Sequence, residues 1–450
     1  MRLILDRWFK LADHQTTVGR ELQAGFTTFA AMAYILVVNP SILANTGMDR
    51  GALVTATALS AAASTVLMAL LTNFPLALAP GMGINAYFTF TLCLGQGIPW
   101  QDALGMVCIN GVIFLALSVT GLRERIVRAI PHPLKIAITC GIGLFIAFIG
   151  LKNGGLVVSH PATLVAAGDF GQPGPALCFA GILLTLVLVS RRIPGAIVLS
   201  VLAVALVGVF VPDGAGGRIT PLPEALISAP ASPAPVALEL RFDYVRTQFW
   251  TAVPIILTLL FVDMFDNIGT LIGVTKRAGL LRPDGTLPKI GGALLADSTA
   301  AIFSSLIGTS TVVSYIESAA GVEAGGRTGL TSLTTAGLFV LALVFSPLLL
   351  VIPAVATAPA LVVVGIFMMQ SALELDLRDF PWAAAAVSTI LVMPVTFSVS
   401  EGIGFGLIVA AVLLPANRRF REMPVLGYIL AALFLAQFFR APLARLFGAD

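Results

Sequence analysis

Four acidic residues sit inside apolar stretches in the second half of this 450-residue chain: Asp263 and Asp266 in LFVDMFDNIGT, Asp297 in LLADSTA, and Glu317 in SYIES. A carboxylate at membrane depth costs roughly 2.5–3.5 kcal/mol or more unless it faces a cavity, a partner or a proton, so one retained there points first to function. No Lys or Arg lies at comparable depth to neutralise them. Desolvation disfavours the ionised form of such groups, which makes all four candidates for proton coupling. Asp263, Asp266 and Thr270 are spaced i, i+3, i+7, so a helix presents them on one face. For each carboxyl the alternative role is an interhelical hydrogen bond.

Two stretches rich in helix breakers supply the remaining polar groups. In NFPLALAPGMGINAYF the residues after the break, Gly81-Met82-Gly83-Ile84-Asn85, offer backbone N–H groups at a helix start and one side-chain amide, which are donors for a planar polar solute. In GTSTVVSYIESAAG, Tyr315 stands two residues before Glu317, where it can stack on such a solute or serve as an ordinary core tyrosine. Asp266, Glu317, Tyr315, Asn85, Gly83 and Thr270 therefore form the candidate binding set.

Composition shows what must hold these groups in place. With 58% hydrophobic and 11% charged residues, and apolar runs of about 20 recurring from end to end, the chain reads as an all-α polytopic membrane protein. Apolar runs read against breakers predict about 14 spans: 20–45, 51–72, 74–92, 102–121, 133–151, 175–190, 194–212, 246–275, 290–307, 309–324, 328–348, 354–371, 381–397 and 400–416. The mixed, charged opening shows no signal peptide pattern and is expected to stay in the cytoplasm. With that start, all but Arg50, Lys152, Arg218, Arg241 and Arg246 of the 26 basic residues fall on the cytoplasmic side, as the positive-inside rule requires. Both termini are then cytoplasmic. The piece from Val425 to Phe439 is short for a span and is expected at the interface, with a fifteenth span as the alternative.

The polar insertion 213–245, rich in Gly, Pro and Ser, divides the spans seven and seven. The halves echo each other: the fifth span opens Pro131-His132-Pro133-Leu134 and runs into Gly141-Ile142-Gly143, while the twelfth carries Pro353, Pro359-Ala360-Leu361 and Gly365. Seven is odd, so the second repeat is inverted, and interrupted third and tenth spans in matching positions are the pattern of a secondary transporter. Close helix packing through small residues is the plainer explanation of those breakers.

Cys93, Cys108, Cys140 and Cys178 lack metal-ligand spacing and read as small core residues. A net charge of +3 implies no nucleic-acid partner. No GxxxxGK[ST], HExxH or GxGD motif and no basic helix occurs, so a nucleotide-driven pump, an intramembrane protease and a voltage sensor lack their signatures. No catalytic residue, metal or cofactor is expected. Ion-gradient-driven transport is the reading that remains, against a channel or an intramembrane hydrolase using the paired aspartates.

Taken together, AGFTTFAAMAYILVVNP, NFPLALAPGMGINAYF, GIGLFIAFIGLKNGG, LFVDMFDNIGTLIGV and GTSTVVSYIESAAGVEAGGRTGLT resemble the AzgA-like purine permeases of the nucleobase-ascorbate transporter superfamily, over about residues 5 to 416. The resemblance implies a core domain (20–121 and 246–348) and a gate domain (133–212 and 354–416), with 1–19 and 417–450 as cytoplasmic or interfacial ends. Proton-coupled uptake of a purine base is the implied activity. DRWFKLADHQTTV and GVTKRAGLL look closer to the guanine/hypoxanthine branch than to the adenine branch, and a xanthine/uracil carrier is the further alternative. Carried over by motif, Asp266 holds the base, Glu317 and Tyr315 are the acidic and aromatic groups of the tenth span, and contacts from the third span come from Ala79 to Asn85. Asp297 belongs to the acidic set needed for transport. Expected partners are a purine nucleobase, protons, the lipid bilayer and, as an open option, a second copy in a homodimer.

Overall fold

The computed structural model describes residues 8–120, 131–214, 216–280 and 289–439, except that side chains at Asp266, several of its neighbours in the same helix, and Gln437 lie outside the description. Among the described residues nine helices are long and apolar enough to cross a membrane, and shorter apolar helices occur at Met82–Gly95, Ala196–Gly208, Phe249–Met264, Phe380–Thr396 and Val425–Ala436.

The first apolar run forms α1 (Val18–Met32) and α2 (Ile35–Leu43), and a 23-residue helix, α3 (Arg50–Thr72), follows. Asp49 starts α3 by accepting the Ala52 N–H at 2.7 Å, and Asn73 ends it at φ 62°. At a rise of about 1.5 Å per residue α3 spans about 34 Å, enough for a hydrocarbon core of about 30 Å.

In the third predicted span Pro75, Pro80 and Gly81 prevent a continuous helix, and the chain instead makes β1 (Leu78–Pro80), then α4 (Met82–Ala86), which continues as a π-helix over Tyr87–Gly95. After α5 (Trp100–Thr120) and α6 (His132–Asn153), a hairpin of β2 (Val157–His160) and β3 (Leu164–Ala167) precedes α7 (Pro173–Ser190) and α8 (Ala196–Gly208).

A five-residue helix, α9 (Asp243–Thr247), leads into α10 (Phe249–Arg277), which is followed by α11 (Ile290–Ile307), β4 (Val312–Ser314), the short α12 (Ser318–Glu323), α13 (Gly329–Ala342) and α14 (Ser346–Leu350). The chain closes with α15 (Ala354–Met369), α16 (Phe380–Thr396), α17 (Val399–Ala416) and α18 (Val425–Phe438).

The expectation of an all-α chain is corrected at two places, the β2–β3 hairpin and the pairing of β1 with β4. The second has a clear cause. Broken spans leave backbone donors and acceptors unpaired in apolar surroundings, and the two broken segments satisfy each other: Leu78 faces Ser314, Ala79 faces Val313 and Pro80 faces Val312 in antiparallel register. Residues 213–245 also do more than link. They fold back on helix ends through Leu238 N–H to Leu306 C=O at 2.7 Å and Arg241 N–H to Gln101 C=O at 3.1 Å, and Val236 is fully buried.

The main helix pairings fall into two sets. In one, α13 packs on α1 and α3, α11 packs on α3 and α5, and α10 lies against α5; in the other, α6, α15, α16 and α17 pack together with α7, α8 and α18. Of the basic residues used to orient the chain, Arg2, Arg123, Arg282 and Arg445 are among those outside the described residues.

Candidate functional site

The β1–β4 pair is pinned from several sides. Thr65 on α3 both donates its hydroxyl to the Leu78 carbonyl (3.1 Å) and accepts the Leu78 N–H (2.9 Å), the Gly81 N–H reaches the Thr311 carbonyl at 2.9 Å, and Ser318 Oγ accepts the Ala77 N–H at 3.0 Å. Ser314 N–H donates to Asn267 Oδ1 at 2.7 Å. Each bond meets a backbone group that a helix would have satisfied internally, so two irregular segments persist as one fixed unit.

Glu317 stands at the entry to α12, partly exposed, and its Oε1 accepts the Tyr34 hydroxyl at 2.6 Å. Tyr34 lies at the break between α1 and α2 and is 2% exposed, so its ring is held by packing while its hydroxyl fixes one carboxylate oxygen. A bond this short from a hydroxyl to a carboxylate is of the stronger, charge-assisted kind.

Asn85 lies in α4 on the other flank of the strand pair and is fully buried. Its Oδ1 accepts the Ser310 hydroxyl, while its Nδ2 has no hydrogen-bond partner among the described residues. Thr311 Oγ1 and Asn39 Oδ1 are likewise buried without partners, although Asn39 Nδ2 donates to Thr57 (2.6 Å) and Thr309 (3.0 Å). Buried polar atoms left over in this way are uncommon and are satisfied by water or a ligand.

The remaining candidates take different places. Asp263 is fully buried and accepts amide donors on both oxygens, Asn110 Nδ2 at 3.2 Å and Asn267 Nδ2 at 2.9 Å. Through Asn267 it reaches the Ser314 N–H, so the relay Asn110–Asp263–Asn267–Ser314 ties α5 and α10 to β4. Thr270 is buried two turns along α10, and the side chain of Asp266 lies outside the described residues.

Asp297 is buried on α11, the helix that packs beside β4. Tyr315 is committed to the strand pair, donating its hydroxyl to Pro80 C=O at 2.6 Å and its N–H to Ala77 C=O at 3.0 Å. Gly83 faces α6 of the other helix set: a Cβ there would lie 2.7 Å from Ile142 Cγ2.

Sequence reasoning did not single out Tyr34, Asn39, Asn267 or Glu21. Glu21 is completely buried and gathers the Arg327 and Thr328 N–H groups and the Thr328 and Thr331 hydroxyls at 2.7–3.1 Å, which closes the start of α13. The sequence signal was weak, since Glu21 stands beside Arg20 at the very start of the first predicted span.

The sequence model of the permease family matches residues 19–405. The chain is similar to the guanine/hypoxanthine permease PbuO of Bacillus subtilis, with 40% identity covering 96% of this chain and 99% of the relative, and to the adenine permease AdeP of Escherichia coli, with 38% identity covering 96% and 95%. Among solved structures the transmembrane domain of a cyanobacterium bicarbonate transporter, BicA, superposes with a TM-score of 0.58 over 86% of this chain and 97% of that one; at 16% identity the likeness concerns the fold alone.

Proposed function

The chain belongs to the permease family, and from that premise we propose that it is a proton-coupled importer of purine bases, with guanine and hypoxanthine preferred. A permease moves its substrate without converting it, so no enzymatic step is assigned. The observation that carries the reading is the β1–β4 unit. It is flanked by Glu317, with one carboxylate oxygen held by Tyr34, and by the buried amide nitrogen of Asn85, which has no partner among the described residues.

In this reading the free carboxylate oxygen of Glu317 accepts a ring N–H of the base. The Asn85 amide and the backbone around Gly81 and Gly83 donate to its carbonyl oxygen and ring nitrogens. Guanine and hypoxanthine present an N1–H donor beside O6, whereas adenine presents an acceptor beside an amino donor, so an acceptor carboxylate opposite amide donors favours the oxo-purines. Burial of unpaired site groups penalises the mismatched base. By its motif Asp266 is assigned to hold the base, and protons are taken up by the acidic set Asp263, Asp266, Asp297 and Glu317.

The two packed helix sets serve as core and gate of a fourteen-span inverted repeat with cytoplasmic termini in the cell membrane, and alternating access comes from movement of one set against the other. The relatives named above as guanine/hypoxanthine and adenine permeases support a purine substrate.

One experiment tests the whole reading. Initial uptake of radiolabelled guanine is measured with and without an uncoupler, in competition with unlabelled adenine, guanine, hypoxanthine, xanthine and uracil. Concentrative uptake that collapses with the uncoupler and is blocked best by guanine and hypoxanthine is the expected result. Uptake insensitive to the uncoupler refutes proton coupling, and stronger competition by adenine refutes the branch.

A further inference from the structure

A cavity of about 130 Å³, whose walls do not include Glu317, lies between α2, the end of α6 and the start of α15. It is far larger than the roughly 10–15 Å³ that admits one water. Its walls combine the apolar side chains of Val38 and Leu361 with Ser41, Asn45, Asn153 and Thr357. That mixture suits a small planar heterocycle, with apolar sides for its faces and amide and hydroxyl groups for its edge. A carboxamide carries both donor and acceptor and can pair with a purine edge whichever pattern the edge presents.

Two further observations relate the cavity to Glu317 and to the two helix sets. Tyr34 just before α2, Val38 and Ile42 on it, and Asn45 in the tight turn after it recur at helical spacing, so the face that starts at the Glu317-bonded tyrosine ends at this cavity. The axial distance from Tyr34 to Asn45 is about 16 Å. The cavity also lies on a seam, because α2 packs with the first helix set while α6 and α15 belong to the second. Arg50 holds that seam: its Nη2 donates to Ser41 Oγ at 3.2 Å and to the Ile352 carbonyl, just before α15, at 2.8 Å.

The groups in the cavity are unequally committed. Asn45 Nδ2 donates to the Ser41 and Ile42 carbonyls at 2.8 and 2.9 Å, so its Oδ1 is the atom left for a ligand, and Thr357 gives its hydroxyl proton to Ala354 C=O at 3.1 Å and keeps its lone pairs.

We infer that this cavity is a second, staging site for a purine base, occupied before the base reaches Glu317 and reading it through the Asn153 and Asn45 amides. This rests on the purine-permease reading above. Because the Asn153 amide serves oxo- and amino-purines alike, and the Asn45 Oδ1 can accept the imidazole N–H that every purine base carries, the staging site raises capture without setting selectivity, which stays with Glu317 and Asn85.

The test uses the full chain in proteoliposomes with two shape-conserving variants, Asn153→Leu and Thr357→Val, normalised to protein in the membrane. Guanine uptake KM is expected to rise roughly 3- to 10-fold, the loss of one or two hydrogen bonds. The ratio of guanine to adenine inhibition is expected to hold, and so is the tight-site Kd for guanine of the purified protein. Thr357→Val carries the test alone if Asn153→Leu does not fold. An unchanged KM in the folded variants overturns the inference. So does a shifted guanine/adenine ratio, or a Kd that weakens in step with KM, since the cavity would then belong to the main site. Absence of purine uptake by the unmodified protein would instead refute the function proposed above.

Discussion

Tyr34→Phe removes one oxygen atom from a ring that is otherwise 2% exposed, so packing at the α1–α2 break is kept and only the 2.6 Å bond to Glu317 Oε1 is lost. A hydrogen bond to a charged group contributes roughly 1.5–3 kcal/mol. Glu317 is partly exposed, and water recovers some of that, which puts the expected cost at about 1.5 kcal/mol, or about 10-fold in affinity for the base. The loss falls on binding because the freed carboxylate must be reordered each time a base arrives.

A double-mutant cycle with Glu317→Gln isolates this effect. Once Glu317→Gln is in place the tyrosine faces a neutral acceptor, and adding Tyr34→Phe is expected to weaken binding by only about 2- to 3-fold. Glu317→Gln alone is expected to lose most purine uptake, about 10- to 150-fold in affinity, while staying in the membrane. The assay is equilibrium binding of radiolabelled guanine to purified protein, which separates affinity from transport rate. Equal costs for Tyr34→Phe in the wild-type and Glu317→Gln backgrounds, or wild-type affinity in the single variant, would refute a role for Tyr34 in holding the carboxylate.

Further expectations follow from other sites. Asp266→Asn, one turn from Asp263 on α10, should impair both guanine binding and accumulation in proteoliposomes with an imposed pH gradient, whereas Asp297→Asn should harm accumulation more than binding; normal behaviour of Asp266→Asn would make that residue structural. Gly83→Ala places a methyl 2.7 Å from Ile142 Cγ2 across the seam between helix sets, so uptake velocity should fall several-fold with modest change in equilibrium binding. Gly105→Ala drives its methyl into the Arg241 backbone carbonyl and should destabilise the fold by about 1–3 kcal/mol, read as a lowered melting temperature.

At the end of α17, Arg419 pairs with Asp379 and Glu422 at 2.6 Å and holds both carboxyls below their usual range. Their contribution is therefore present above the ordinary carboxylate pKa of about 4 and fades as pH falls through the depressed folded values. Arg419→Gln should lower the melting temperature at pH 7, and the gap to wild type should close below about pH 4; a gap constant down to pH 3 contradicts the pairing.

Much of the architecture was legible because it is written locally. Apolar runs of helical length became helices such as α3 and α6, and the cluster Pro75, Pro80, Gly81 marked where a span breaks. What local pattern cannot carry is the partner of each broken piece. Proline and glycine announce that backbone groups are freed, but only tertiary packing decides that β1 pairs with β4. The same limit hid Tyr34, whose contact with Glu317 spans 283 positions, and Asn267, which resembles any polar residue on α10 until its bond to Ser314 N–H is seen. Glu21 escaped for a different reason: it reads as the charged edge of a span, whereas folding takes it fully inside as the cap of α13.

The β1–β4 pair also constrains how the protein is made. Tyr315 and the Pro80 carbonyl it binds are 235 positions apart, so at about 5–20 residues per second the ribosome leaves β1 without its partner for roughly 10 to 50 s. During that interval an unpaired extended segment in the bilayer carries polar backbone groups at several kcal/mol each. The first half of the chain must therefore wait at the translocon, or in the company of an insertion factor, until the second half is delivered. Expression yield should consequently depend on conditions that slow late elongation, even when every codon for the first half is unchanged.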